Sequence, residues 1–241
     1  MAEIIEINGN IFNTTYQTIV NTVNCVGVMG KGIALEFKNR HPDMYQAYLR
    51  LCLQKKIKIG MLQLWSRSTP WVLNFPTKDN WKYPSKLEYV ERGLVKFAQT
   101  YTIKGITSIA FPELGTSAGG LNWSDVKELM FKYLEPLTNL KVEIYHYDPS
   151  VQDNTFENLY QKVHSFDIKD YKQYIDLSPS QAKTIKDLIK NRKVHSMQEL
   201  QNIKGVGDKT ITKLYTFLND SQRDQQRIET YSEIPSLPGF L

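Results

Sequence analysis

The stretch "NTVNCVGVMGKGIALEF", Asn21–Phe37, decides how this chain is read. It closes a β-branched run (TIVNTVN), passes Gly27, Gly30 and Gly32, and continues into residues with helical spacing. About 90 residues on, "FPELGTSAGGLNW", Phe111–Trp123, repeats the arrangement. There a buried-strand pattern (ITSIAF) leads through Gly115, Gly119 and Gly120 to another helical stripe. Strand, glycine loop and helix form the junction at which α/β folds bind ligands, outside the carboxyl ends of the strands. Glycine admits positive φ and close backbone approach, so its N–H groups can point at phosphate oxygens. The following helix adds partial positive charge. Two such loops on one sheet edge suit the two phosphates of a diphosphate. On composition alone, ordinary tight turns explain the same glycines. Neither loop has Walker or Rossmann spacing, which disfavours a P-loop nucleotidase and a hydride-transfer enzyme.

Outward from these loops the chain alternates. IIEIN, MLQLW, WVLNF and VEIYHY have strand character, and SRSTP separates the middle two as a turn cluster. Ile33–Arg40 and Met44–Lys55 have helical character, with Pro42 placed to start the second. Leu87, Val90, Leu94, Phe97, Ala98 and Tyr101 share one helical stripe; Val126, Leu129, Met130, Tyr133, Leu134 and Leu137 share another, capped by Asn122 or Ser124. The pattern predicts a layered α/β domain with a mixed sheet. After about Asp148 it changes: DPSVQDNTFEN is polar and turn-rich, and everything beyond is helical without a convincing strand.

With 241 residues, 41% hydrophobic and 12% aromatic, the chain can bury one large domain or a medium and a small one. It has no internal repeat and no apolar run near the ~20 residues that span a bilayer. MAEIIEING is not a signal peptide. Cys25 and Cys52 are too few for a disulfide framework, so a soluble cytoplasmic protein is expected. The net charge is +5, and Lys183–Lys213 alone carries that excess, through Lys183, Lys186, Lys190, Arg192, Lys193, Lys204, Lys209 and Lys213 against Asp187, Glu199 and Asp208. Such a cluster suits a polyanion or a solvated helix surface. His41, His146, His164 and His195 are scattered without metal spacing, and no Gly-x-Ser-x-Gly elbow occurs. No metal and no cofactor is implied.

Four blocks in order, "INGNIF", "IVNTVNCVGVMGKGIALEFK", "NFPTK" and "ELGTSAGGLNW", resemble the macrodomain family, specifically its DarG branch, over about Ile4–Asp148. Members of that branch are DNA ADP-ribosyl glycohydrolases, antitoxins to DarT enzymes that ADP-ribosylate thymidine in single-stranded DNA. The resemblance implies a three-layer α/β/α macrodomain with a mixed central sheet over residues 1–148. A linker over 149–165, a small all-α domain over 166–220 and an extended or disordered tail over 221–241 complete the expectation. It implies that Asn10 and Ile11 face the adenine. Asn21 and Asn24, with Val28, Met29, Gly30, Lys31 and Gly32, line the distal ribose and one phosphate. Gly115, Thr116, Ser117, Ala118, Gly119, Gly120 and Leu121 wrap the diphosphate from the other side. Trp123 follows as a packing residue, and Cys25 as a small residue of a tight loop.

Lys78 in "NFPTKDNW" corresponds to the catalytic lysine of this branch and of the related terminal ADP-ribose protein glycohydrolase. In an apolar pocket its ammonium is disfavoured, so the amine can attack C1″. The ammonium can instead protonate the leaving base; the sequence leaves both open. The related enzyme adds an aspartate in the second loop, whereas Ser117–Gly120 holds no carboxylate and Glu113, the nearest acid, is assigned a structural role. Catalysis then rests on Lys78, with Asn21 or Asn24 orienting the ribose.

"LQNIKGVGDKTITKLYTFL", Leu200–Leu218, resembles a helix-hairpin-helix motif, in which Lys204, Gly205, Gly207 and Lys209 would contact a DNA backbone without reading sequence. A hairpin used for packing or for gripping a protein is the alternative. The expected partners are ADP-ribose, ADP-ribosylated single-stranded DNA and a DarT-type toxin, with no membrane. Rival functions are a non-catalytic ADP-ribose reader tethered to DNA, a macrodomain hydrolase of protein-linked ADP-ribose or ADP-ribose 1″-phosphate, and neutralisation of the toxin by direct contact.

Overall fold

The computed structural model describes residues 1–232 and divides into two compact units, Met1–Asp153 and a helical unit from Asn154. In the first, chain order is β1 (Glu3–Gly9), a 3-10 turn (Ile11–Asn13), β2 (Thr18–Asn24), α1 (Gly32–Arg40), α2 (Pro42–Leu53), β3 (Gln63–Trp65), β4 (Trp71–Lys78), α3 (Leu87–Thr100), β5 (Ser108–Pro112), α4 (Trp123–Leu134) and β6 (Lys141–Tyr147). Pro42 opens α2 and Asn122 caps α4, accepting from the Ser124 N–H, as their chemistry predicts. The six strands lie in the order β1-β6-β5-β2-β4-β3, parallel except for β3, which turns back antiparallel on β4. This is the expected mixed sheet.

Each face of the sheet is covered. On one, Leu94 and Phe97 of α3 and Val126 and Met130 of α4 pack over Phe75 and Phe111. On the other, Phe37 of α1 and Met44 and Tyr48 of α2 pack over Ile19, Val23 and Val72. β2, between the layers, is buried along almost its whole length: Val20 packs into one core and Ile19 and Val23 into the other, and its buried Asn21 and Asn24 are hydrogen-bonded.

The helical unit comprises α5 (Asn154–Val163), α6 (Ile168–Ile175), α7 (Pro179–Lys190), α8 (Met197–Asn202) and α9 (Asp208–Ser232). Capping boxes of Asp167 with Asp170 and of Ser178 with Gln181 start α6 and α7. Two expectations change. The segment expected as a linker, 149–165, contains α5, because Phe156, Leu159 and Val163 recur at helical spacing beneath its polar residues and are buried in this unit's core. The segment expected as an extended tail begins inside α9: Ser221–Ser232 holds glutamine, arginine and glutamate but neither proline nor glycine, so nothing stops the helix. The rest of that expected tail, 233–241, lies outside the described residues. Among the described residues, no helix is long and apolar enough to cross a membrane.

Candidate functional site

β5, β2 and β4 are parallel neighbours, so their carboxyl ends share one sheet edge. Both glycine loops and Lys78 leave from that edge.

The first loop is shaped by Asn24, the last residue of β2. Its buried amide is used at both ends. Nδ2 donates to the Val28 carbonyl (2.6 Å), and Oδ1 accepts from the N–H groups of Val26 (3.0 Å) and Val28 (3.2 Å). From α2, the Tyr48 hydroxyl donates to the Asn24 carbonyl. Met29 is buried, whereas Gly30, Lys31 and Gly32 are exposed. Lys31 occupies the N-cap of α1 without a side-chain hydrogen bond, so no N-cap side chain covers the amides of that helix. Cys25 is buried, and burial pushes its thiol up to about 12, leaving a neutral packing group rather than a nucleophile.

The second loop is shaped by backbone contacts. Gly120 N–H donates to the Thr116 carbonyl (2.7 Å) and Leu121 N–H to the Gly115 carbonyl (3.1 Å). Ser85 N–H, from the segment before α3, donates to the Gly119 carbonyl (2.9 Å). A Cβ on Gly119 would lie 2.1 Å from the Gly115 carbonyl oxygen and 2.4 Å from Ser85 Oγ, so only glycine fits. Ser117, Ala118 and Gly120 face solvent. At the loop's start, Glu113 bonds His146 Nδ1 (2.7 Å) and Thr116 Oγ1 (3.2 Å). His146 Nε2 meets Glu6 (3.1 Å), whose carboxyl is held below its usual range chiefly by the hydrogen bond from Lys127. Glu113 therefore anchors the loop to β6 and β1, and Trp123 stacks edge-on to His146, 5.2 Å between centroids.

Lys78 ends β4 and is the register partner of Asn24. The next residue, Asp79, accepts through its carbonyl from the Cys25 N–H of the first loop (3.1 Å). The Lys78 side chain reaches the other way and donates from Nζ to the Ala118 carbonyl of the second loop (2.5 Å). The lysine thus joins the two loops. It is half-buried with a carbonyl partner, which corrects the expectation of an apolar enclosure.

Other expected contacts are redistributed. Asn21 is fully buried within β2, where Nδ2 donates to Asn74 Oδ1 of β4 (2.7 Å). It sits three residues before the strand end, about 10 Å back at ~3.3 Å per residue, so Asn24 and not Asn21 accompanies Lys78. The Asn10 side chain caps its own turn by accepting from Phe12 N–H (3.0 Å), and Ile11 packs into the core with Phe37. The Asn10 and Ile11 carbonyls accept from the Asn13 (2.9 Å) and Thr14 (3.2 Å) N–H groups, so the turn closes on itself at the end of β1. Gln63 and Asn74 extend the buried amide chain from Asn21. Ser85, 6% exposed with an Oγ that has no partner, and Tyr48 were not singled out by sequence. Neither lies in a glycine cluster, and both act on loops far away in the chain.

In the helical unit, Lys204, Gly205, Gly207 and Lys209 are exposed around the turn joining α8 to α9. Gly205 takes φ +95°, and nothing lies within 4 Å of a Cβ built on either glycine. Of the basic residues nearby, Arg192 pairs with Glu157, Lys193 with Asp187 and Lys213 with Asp176. The charge excess is therefore partly neutralised within the unit.

Comparison with known proteins matches residues 20–130 to the family described as "Macro domain". A protein of Thermus aquaticus named "DNA ADP-ribosyl glycohydrolase" is 41% identical over 143 residues, covering 58% of this chain and 40% of that protein. The chain thus spans about two-fifths of the length of the curated relatives it matches. Among solved structures, "Macrodomain of Thermus aquaticus DarG" aligns with TM-score 0.58 and 39% identity, over 61% of this chain and 99% of that one. "Thermosipho africanus DarTG in complex with ADP-ribose" aligns with TM-score 0.58 and 35% identity, over 64% and 43%.

Proposed function

The chain belongs to the macrodomain family, and from that premise we propose that it is a hydrolase removing ADP-ribose from a thymidine base of single-stranded DNA, reversing the modification made by a DarT-type enzyme. The observation that carries this reading is the position of Lys78, whose amine bonds Ala118 of one glycine loop while its strand end pairs with Asn24 of the other.

The geometry suits an extended diphosphate laid across the strand ends. From β1 to β4 is four strand spacings, about 19 Å at ~4.8 Å each. The backbone of Asn10 and Ile11 stands at the adenine end. The amides after Val28 and those opening α1 meet one phosphate, and the second loop from Gly115 to Leu121 meets the other. Asn24 and Lys78 then face the terminal ribose. The reaction breaks the bond between C1″ and the base nitrogen; water supplies hydroxyl to C1″ and a proton to the base. As an amine, Lys78 attacks C1″ and holds the opened sugar as an imine that water releases. As an ammonium, it protonates the departing base. Borohydride separates the two, because only the imine is trapped as a stable adduct on Lys78.

Lys78→Ala should lower kcat on an ADP-ribosylated single-stranded oligonucleotide by about 10³-fold or more, while ADP-ribose binding by calorimetry stays within a few-fold. Undiminished turnover in this variant would remove Lys78 from the chemistry. A wild-type protein that binds ADP-ribose but cleaves no conjugate would instead be a reader.

The helical unit supports a second, subordinate role in holding the DNA backbone. Gly205 and Gly207 leave the turn's backbone open, and Lys204 and Lys209 flank it. Asp208 in the first turn of α9 opposes an anion there, so the lysines carry the attraction. Lys204→Ala/Lys209→Ala should weaken binding of unmodified oligonucleotide and flatten its dependence on log salt by about 1.4, ~0.7 per phosphate contact on a single strand. An unchanged slope would assign this turn to protein contact or packing.

A further inference from the structure

Between Lys78 and α3 the chain runs through "DNWKYPSKL", Asp79–Leu87. Both ends of this segment are tied to the glycine loops: the Asp79 carbonyl accepts from Cys25 N–H, and Ser85 N–H donates to the Gly119 carbonyl. Within it, the Asn80 carbonyl accepts from Tyr83 N–H (3.2 Å) and the Asn80 side chain accepts from Lys82 N–H (3.1 Å). On this braced turn stand Trp81, 50% exposed, and Tyr83, 66% exposed. Rings this open contribute little to the core beneath them, and rings on a turn fixed at both ends offer preformed flat surfaces.

Their neighbours are cationic. The Lys82 ammonium stands 5.6 Å from the centroid of the Trp81 ring, and Lys86 is exposed just beyond. Trp81 follows Lys78 by three residues, so its Cα lies within about 11 Å of the lysine's, at ~3.8 Å per residue. Exposed rings interleaved with lysines have the chemistry that holds single-stranded nucleic acid, in which bases stack on rings and phosphates meet ammonium groups.

We infer that Asp79–Leu87 is a stacking platform for the unmodified bases flanking the ADP-ribosylated nucleotide, with Trp81 and Tyr83 receiving base faces and Lys82 and Lys86 meeting phosphates. The inference rests on the proposed DNA-linked substrate. A paired duplex keeps its base faces covered, so the platform selects single strands.

The test compares the full chain with Trp81→Ala/Tyr83→Ala. On a short single-stranded oligonucleotide carrying one ADP-ribosylated thymidine, kcat/KM should fall about tenfold or more, through KM. ADP-ribosyl-thymidine without flanking nucleotides, and ADP-ribose binding, should be unaffected, and Trp81→Phe should retain most of the oligonucleotide rate. Equal losses on the nucleoside, or no loss on the oligonucleotide, would overturn the platform. Titrating labelled, unmodified oligonucleotide in the Lys204→Ala/Lys209→Ala background separates this from failure of the hydrolase reading. Weaker binding by the doubly truncated protein supports the platform even if no conjugate is cleaved, and equal binding sinks it even if conjugates are cleaved.

Discussion

In the first glycine loop one side chain, Asn24, bonds three backbone groups and leaves Gly30 and Gly32 open to solvent. In the second, backbone meets backbone, and Gly119 is wedged between the Gly115 carbonyl and Ser85. The helices that follow differ in the same sense: α4 has its N-terminus capped by Asn122, whereas Lys31 gives α1 no side-chain cap. Two stretches with the same look in sequence therefore use glycine for different purposes. The second loop needs Gly119 to close on itself; in the first, Gly27 is fitted against Leu49, whereas Gly30 and Gly32 keep amides and space unoccupied. Lys78 is bonded to the closed loop and adjoins the open one, so under the proposed function the closed loop would hold the amine while the opposite wall receives the ligand.

The largest effect should come from filling the closed loop. In Gly119→Ala the new methyl cannot coexist with the Gly115 carbonyl and Ser85 Oγ, so the loop must open or the Ser85 segment must move. Overpacking of this kind costs about 3 kcal/mol. That should lower the melting transition of the first unit by roughly 6–12 °C. ADP-ribose binding should fall with it, since the Ala118 carbonyl that holds Lys78 moves too. A variant that melts with wild type would show that the second loop is no more constrained than the first.

The difference between the loops was not legible in the sequence, although the loops themselves were. Strand-to-helix alternation, Pro42 at the head of α2 and Asn122 before α4 are local signals, and each produced the element it predicts. What a glycine lies against is not local. The Ser85–Gly119 clasp joins residues 34 apart in number, and Lys78–Ala118 joins residues 40 apart. Asn21 and Asn24 illustrate the same limit. Both are asparagines of one buried strand, and only the register with β4 shows that the first meets Asn74 while the second meets Lys78. α5 was hidden differently: its apolar residues occupy one narrow stripe, and the polar DPSVQDNTFEN composition outweighs them when read without a partner surface.

The smallest effect on folding should come from the open loop, and there it discriminates most. Gly30 does not have positive φ, and a Cβ built on it meets only Val28 Cγ1, at 3.7 Å. Gly30→Ala should thus change stability by no more than about 0.5 kcal/mol. If the first loop keeps its backbone bare for a phosphate, the added methyl stands in the ligand's approach. Calorimetry should then show ADP-ribose affinity reduced about tenfold, equivalent to ~1.4 kcal/mol, in a protein that melts normally. Loss of binding without loss of stability is the signature of a glycine retained for ligand access. Unchanged binding would make Gly30 a plain turn residue, and the phosphate would have to be held by the second loop and the α1 amides without close approach at that position.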